Sequence, residues 1–130
     1  MTTELHDPRT ELRTTSPLGV HIIADLYEAR NLVDGPAMFQ AMKQAAELAG
    51  AVVVGERHHS FGEGQGVTGV VLLAESHISV HTWPETGFAA LDIFMCGDAV
   101  DPSRALDHLK AYFAPGKTVE VSHSRGEEQL

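Results

Sequence analysis

Cysteine is nearly absent: one residue, Cys96, stands in 130. No internal disulfide can form, which excludes a secreted disulfide scaffold. Positive charge is scarce as well. Nine Lys and Arg face 18 Asp and Glu, for a formal net charge of −9. Such a surface has little to neutralise a phosphate backbone, so nucleic acid is excluded as the expected partner. It suits a cationic substrate, although solubility alone is the plainer explanation. No apolar run approaches the roughly 18 residues of a membrane span. The polar, Thr-rich segment 1–16 holds no apolar stretch of the kind a secretion signal carries. The expectation is a cytoplasmic protein without a membrane partner. At 130 residues and 43% hydrophobic content, the chain has material for one domain and one core.

Residues 1–16 read as a flexible arm, 17–124 as the single domain, and 125–130 as a polar tail. Within the domain, Val20–Tyr27 is β-rich. Asp34-Gly35-Pro36 opens a helix, and Met38, Met42, Ala45 and Leu48 recur near a period of 3.6 until Gly50 stops it. Ala51–Val54 is a short strand, and His58–Gly66 a glycine-rich loop. Val67–Ala74 is a near-continuous apolar strand. His77–Trp83 alternates, with Ile78, Val80 and Thr82 on one face and His77, Ser79, His81 and Trp83 on the other. After a turn at Pro84–Gly87 comes the strand Phe88–Cys96. Asp101-Pro102-Ser103 opens a second helix, Arg104–Phe113, and Thr118–Val121 is the last strand. Strands joined by short turns pair antiparallel. Two helices for about six strands predict an α+β two-layer sandwich, a mainly antiparallel sheet with both helices on one face. The other face then lies bare, so a homodimer through it is expected.

Two motifs are set aside. Gly64-Gln65-Gly66-Val67-Thr68-Gly69 matches the dinucleotide pattern, but a strand follows it where a helix is needed to hold a pyrophosphate. His77 and His81 are four apart, a chelating spacing on a helix. On a strand they stand about 13 Å apart, so no metal site is expected. A serine hydrolase at Ser76 lacks the nucleophile elbow, and Cys96 could be either a thiol nucleophile or a small buried hydrophobe. The residues alone give a polar cluster of Ser76, His77, Ser79, His81 and Cys96 between apolar strands, with its function open.

The run Ala74-Glu75-Ser76-His77-Ile78-Ser79-Val80-His81-Thr82-Trp83-Pro84-Glu85, continuing to Cys96-Gly97, resembles the processing and active-site segment of the prokaryotic S-adenosylmethionine decarboxylases. A looser likeness extends from Leu18 to about Gly126 and includes Met42-Lys43-Gln44-Ala45-Ala46 and Val100-Asp101-Pro102. The resemblance implies a proenzyme that cuts itself between Glu75 and Ser76 into chains 1–75 and 76–130. Ser76 would become a pyruvoyl group, the site of Schiff-base formation with a substrate α-amine, with no metal and no pyridoxal phosphate. It implies Thr68 as the processing helper, His81 as a helper in processing and catalysis, and Cys96 as the proton donor. Trp83 and Glu85 would line the substrate pocket. The family carries an adenine-stacking phenylalanine six positions before the helper hydroxyl; here Phe61 lies seven before Thr68, and Glu63 adds a charge to the loop. S-adenosylmethionine is therefore the expected substrate, with ornithine or arginine, met by Glu63, as the alternative. A third possibility is an unprocessed, non-catalytic partner subunit.

Overall fold

The structure, a computed structural model, describes residues 17–127. The expected arm 1–16 and the last three residues of the expected tail lie outside the described residues. In chain order the elements are β1 (Gly19–Tyr27), α1 (Gly35–Leu48), β2 (Val53–Ser60), β3 (Val67–Leu73), β4 (Ser76–Trp83), β5 (Phe88–Cys96), α2 (Pro102–Phe113) and β6 (Lys117–Arg125). A single 3-10 turn, Pro84–Thr86, links β4 to β5. The six strands form one sheet in the order β2-β3-β4-β5-β1-β6, and every neighbouring pair is antiparallel. β1, first in sequence, is thus inserted between β5 and β6 from the second half of the chain.

Both helices start where the sequence supplies a cap. The Asp34 carboxylate accepts from the Ala37 N–H at 3.0 Å, and Asp101 accepts from the Ser103 N–H at 3.1 Å. Each satisfies a backbone donor that the first helical turn leaves without a partner. Alternation then sorts the strands. Ile22, Ala24, Leu26, Ile78, Val80, Leu91, Ile93 and Met95 are buried against Met38, Phe39 and Met42 of α1 and Leu109 and Phe113 of α2. Burying each of the two phenylalanines contributes about 2 kcal/mol. The expected two-layer α+β sandwich is what the chain builds.

β2 runs further than expected. It continues to Ser60, through residues assigned to a loop, because His58 pairs with Gly69 and His59 with Thr68 of β3. Glu56, Arg57, His58 and His59 hide the alternation in sequence. On the helix side, His58 stacks on Phe39 at 4.5 Å and Glu56 pairs with Lys43 at 2.7 Å. β6 also extends past the expected Val121, to Arg125, the first residue assigned to the tail.

Among the described residues, no element covers the opposite face of the sheet. Ile23, Leu72, Trp83, Val119 and Val121 lie on it with 41% to 49% of their surfaces exposed.

Candidate active site

The β3–β4 hairpin closes with the pair Leu73↔Ser76, leaving Ala74 and Glu75 as a two-residue turn. Glu75 takes a φ of 63°. That left-handed conformation costs a residue with a side chain about 1–2 kcal/mol, and neighbouring structure must hold it there. Ser76 follows directly. Its Oγ accepts the Cys96 backbone N–H at 3.0 Å, so the end of β5 fixes the hydroxyl beside the strained turn. A donor aimed at this oxygen stabilises negative charge as it develops there. Cys96 is a free, half-buried thiol. Gly19 of β1 lies opposite it, and a Cβ on Gly19 would stand 3.1 Å from Sγ and 3.0 Å from the Phe94 ring. The glycine leaves room for the thiol.

A second group lies at the other end of β4. Thr68 and His81 are directly opposite across β3 and β4, and Thr68 Oγ1 is 3.1 Å from His81 Nδ1. A cavity of about 660 Å³ lies over Arg57, His59, Thr68, Val70, Ser79 and His81. A smaller one of about 290 Å³ adjoins it and is lined by Phe61, Gln65, Trp83 and Glu85, with Thr68 and His81 shared between the two. Gly66 lets the loop lie this close, because any Cβ there would collide with the Thr82 carbonyl. Thr82 pins the start of β3: its buried hydroxyl accepts from the Val67 N–H and donates to the Leu32 carbonyl, each at 2.8 Å.

The expected site residues thus fall into two sets. Phe61, Trp83 and Glu85 join Thr68 and His81 at one end of the open face, while Glu75, Ser76 and Cys96 gather at the other. Five residue steps along an extended strand separate Ser76 from His81, roughly 16 Å at ~3.3 Å per residue. One chain therefore does not unite the expected nucleophile with its expected helpers. Glu63 is exposed in the Phe61–Gly66 loop and lines neither cavity.

Sequence reasoning missed a third cluster between the two ends. Asp92 Oδ1 is hydrogen-bonded to His21 Nε2, and His77 Nε2 lies 3.7 Å from the same oxygen. Alternation places His77 and Asp92 on one face, but bringing His21 to them requires knowing that β1 pairs with β5. His59 was missed because it was read as loop, and Gln65, which does lie in the Phe61–Gly66 loop, carries no pattern that marks it as a lining residue. Among the described residues, no group of three or more His, Cys, Asp or Glu is arranged to hold a metal ion.

Fold and site together define a small two-layer α+β protein with a serine held at a strained hairpin, a free thiol beside it, and an aromatic-lined cavity on the same sheet. Residues 20–126 match the sequence profile of the family described as S-adenosylmethionine decarboxylase. An S-adenosylmethionine decarboxylase proenzyme of Thermotoga maritima is 45% identical over 111 residues, covering 84% of this chain and 85% of that one. A proenzyme of the same name from Methanococcus maripaludis is 41% identical over 111 residues, covering 84% and 90%. The crystal structure of the adenosylmethionine decarboxylase from Aquifex aeolicus superposes with a TM-score of 0.78 at 35% identity, covering 86% of this chain and 93% of that chain. The chain belongs to the S-adenosylmethionine decarboxylase family.

Proposed function

We propose that this chain is a self-processing decarboxylase of S-adenosylmethionine, a cytoplasmic enzyme supplying the decarboxylated product for spermidine synthesis. The observation that carries the reading is Ser76, fixed by the Cys96 N–H directly after the left-handed Glu75. A peptide carbonyl resists attack because resonance stabilises it and a hydroxyl is a weak nucleophile. Here the attacking oxygen is already oriented, and rearrangement relieves strain in the turn. Ser76 Oγ adds to the Glu75 carbonyl carbon. The C–N bond breaks as the ester C–O bond forms, and the nitrogen takes up the hydroxyl proton. Removal of the Ser76 α-proton then expels the Glu75 carboxylate by β-elimination. Hydrolysis of the dehydroalanine end releases ammonia and leaves a pyruvoyl group on residue 76. The products are chains 1–75 and 76–130.

The residues at this end suit such a group. The site is half-buried, it has a backbone donor, and a thiol stands beside it without blocking the approach. The pyruvoyl group supplies a ketone that takes the substrate amine and draws electrons from the α-carbon as carbon dioxide leaves. Cys96 donates the proton that replaces carbon dioxide at that carbon. Phe61 and Trp83 offer aromatic faces for a purine, and Glu85 offers a carboxylate for ribose hydroxyls.

The roughly 16 Å between Ser76 and His81 on one strand leads to the assembly. In a two-fold dimer through the open face, the Ser76–Cys96 end of one protomer lies over the Thr68–His81 end of its partner. The same packing covers Ile23, Leu72, Val119 and Val121. Each of the two sites then takes nucleophile and thiol from one chain, and helper hydroxyl, imidazole and nucleoside cavity from the other.

Intact mass spectrometry combined with carbon dioxide release tests the reading. Two fragments of about 8 and 6 kDa are expected, the 75- and 55-residue shares of 14.0 kDa, the smaller with a ketone-blocked N-terminus. S-adenosylmethionine, and neither ornithine nor arginine, is expected to release carbon dioxide. A chain that stays whole refutes the reading.

A further inference from the structure

We propose that His59 is a positioning residue that holds the Phe61 ring as the platform for the substrate's purine. The inference rests on the nucleoside-cavity reading above. Phe61 is 62% exposed at the start of the loop after β2. Among the described residues, its backbone is held by one bond, from its N–H to the Gly66 carbonyl at 3.0 Å. Its ring has one aromatic neighbour among the described residues: His59, at 4.7 Å between centroids and 78° between planes. This edge-to-face geometry is the one that aromatic quadrupoles favour. His59 is itself anchored in the sheet, directly opposite Thr68, which contacts His81. A rigid strand residue thereby fixes the ring of a loop residue and ties its position to the Thr68–His81 pair. An exposed ring without that support would sample several rotamers, and a ligand stacking on it would have to order it first.

The test uses methylthioadenosine, an adenosine thioether with no α-amine or carboxylate to react, titrated against the fluorescence of Trp83. Trp83 is the chain's one tryptophan and lines the same cavity. In His59→Ala, methylthioadenosine affinity is expected to fall about 3- to 10-fold, the worth of one aromatic pair. KM for S-adenosylmethionine is expected to rise by the same factor while kcat and the self-cleavage rate hold. His59→Phe restores the edge-to-face contact and is expected to restore affinity. Unchanged affinity in His59→Ala overturns the proposal, as does loss of self-cleavage with affinity intact, which would place His59 in the processing machinery. The underlying reading fails separately, if the wild-type protein decarboxylates S-adenosylmethionine yet does not bind methylthioadenosine.

Discussion

Co-expression of Ser76→Ala and His81→Ala chains gives the sharpest test of a site shared between two protomers. General acid–base help requires heavy-atom contact near 3 Å, while along one strand the two residues stand roughly 16 Å apart. In a dimer of one chain of each kind, one site holds an intact Ser76 and an intact His81, and the other holds neither. The Ser76→Ala chain alone lacks the nucleophile and stays whole. The His81→Ala chain alone keeps the nucleophile but loses proton-transfer help, expected to slow cutting by about 10²- to 10⁴-fold. Equal expression and random pairing place about half of all chains in mixed dimers. About half of the His81→Ala chains should then be cut at the wild-type rate, and decarboxylation per chain should reach about a quarter of the wild-type value. Separate affinity tags, intact mass and carbon dioxide release supply the readings. If tagged mixed dimers are isolated and their His81→Ala chains remain uncut, His81 acts on its own chain, and the shared site is wrong.

Two further outcomes follow from local geometry. In a Ser76→Ala background that keeps the chain whole, Glu75→Gly should raise stability to urea by about 1 kcal/mol, because glycine takes a φ of 63° without the clash that a Cβ meets; a loss of stability would show that the turn stores no strain. The Asp101 carboxyl is held below its usual pKa, chiefly by the Ser103 hydroxyl and further by backbone donors, against a smaller opposing effect of burial. A folded value below the unfolded one means stabilisation that is present above the unfolded pKa, near 4, and lost as pH falls through the folded value. In the same background, the urea midpoints of Asp101 and Asp101→Asn chains should therefore differ most at neutral pH and converge below about pH 4; a gap that ignores pH would refute the assignment.

Much of this architecture is written in local periodicity. The Met38–Met42–Ala45 stripe marked α1, and the alternation of Ile78, Val80 and Thr82 fixed which face of β4 enters the core. The length of β2 was not legible, because Arg57, His58 and His59 look like loop until β3 is there to pair with them and Phe39 to stack on one. The site divides in the same way. Ser76, Thr68, His81 and Cys96 were recognisable from motif resemblance, but their separation into two groups depends on extended geometry and on the identity of the neighbouring strands. The His21–Asp92–His77 cluster depends on strand order alone. Nothing in local sequence says that a residue near position 20 belongs beside one near position 90.

The insertion of β1 between β5 and β6 has a consequence for the life of the molecule after the proposed cut. Under the proposed cut, chain 1–75 would carry β1, β2 and β3, and chain 76–130 would carry β4, β5 and β6, so the two pieces would interleave instead of lying side by side. Separating them means breaking β3 from β4 and pulling β1 out of a slot with hydrogen bonds on both sides. Before the cut, folding of one protomer's sheet is unimolecular, and only the docking of two protomers depends on concentration. Afterwards the same topology must be reassembled from two partners, at a rate that depends on their concentration. Maturation would then act as a ratchet, with the severed protein kept whole by the height of the barrier to leaving its fold more than by its ability to find that fold again.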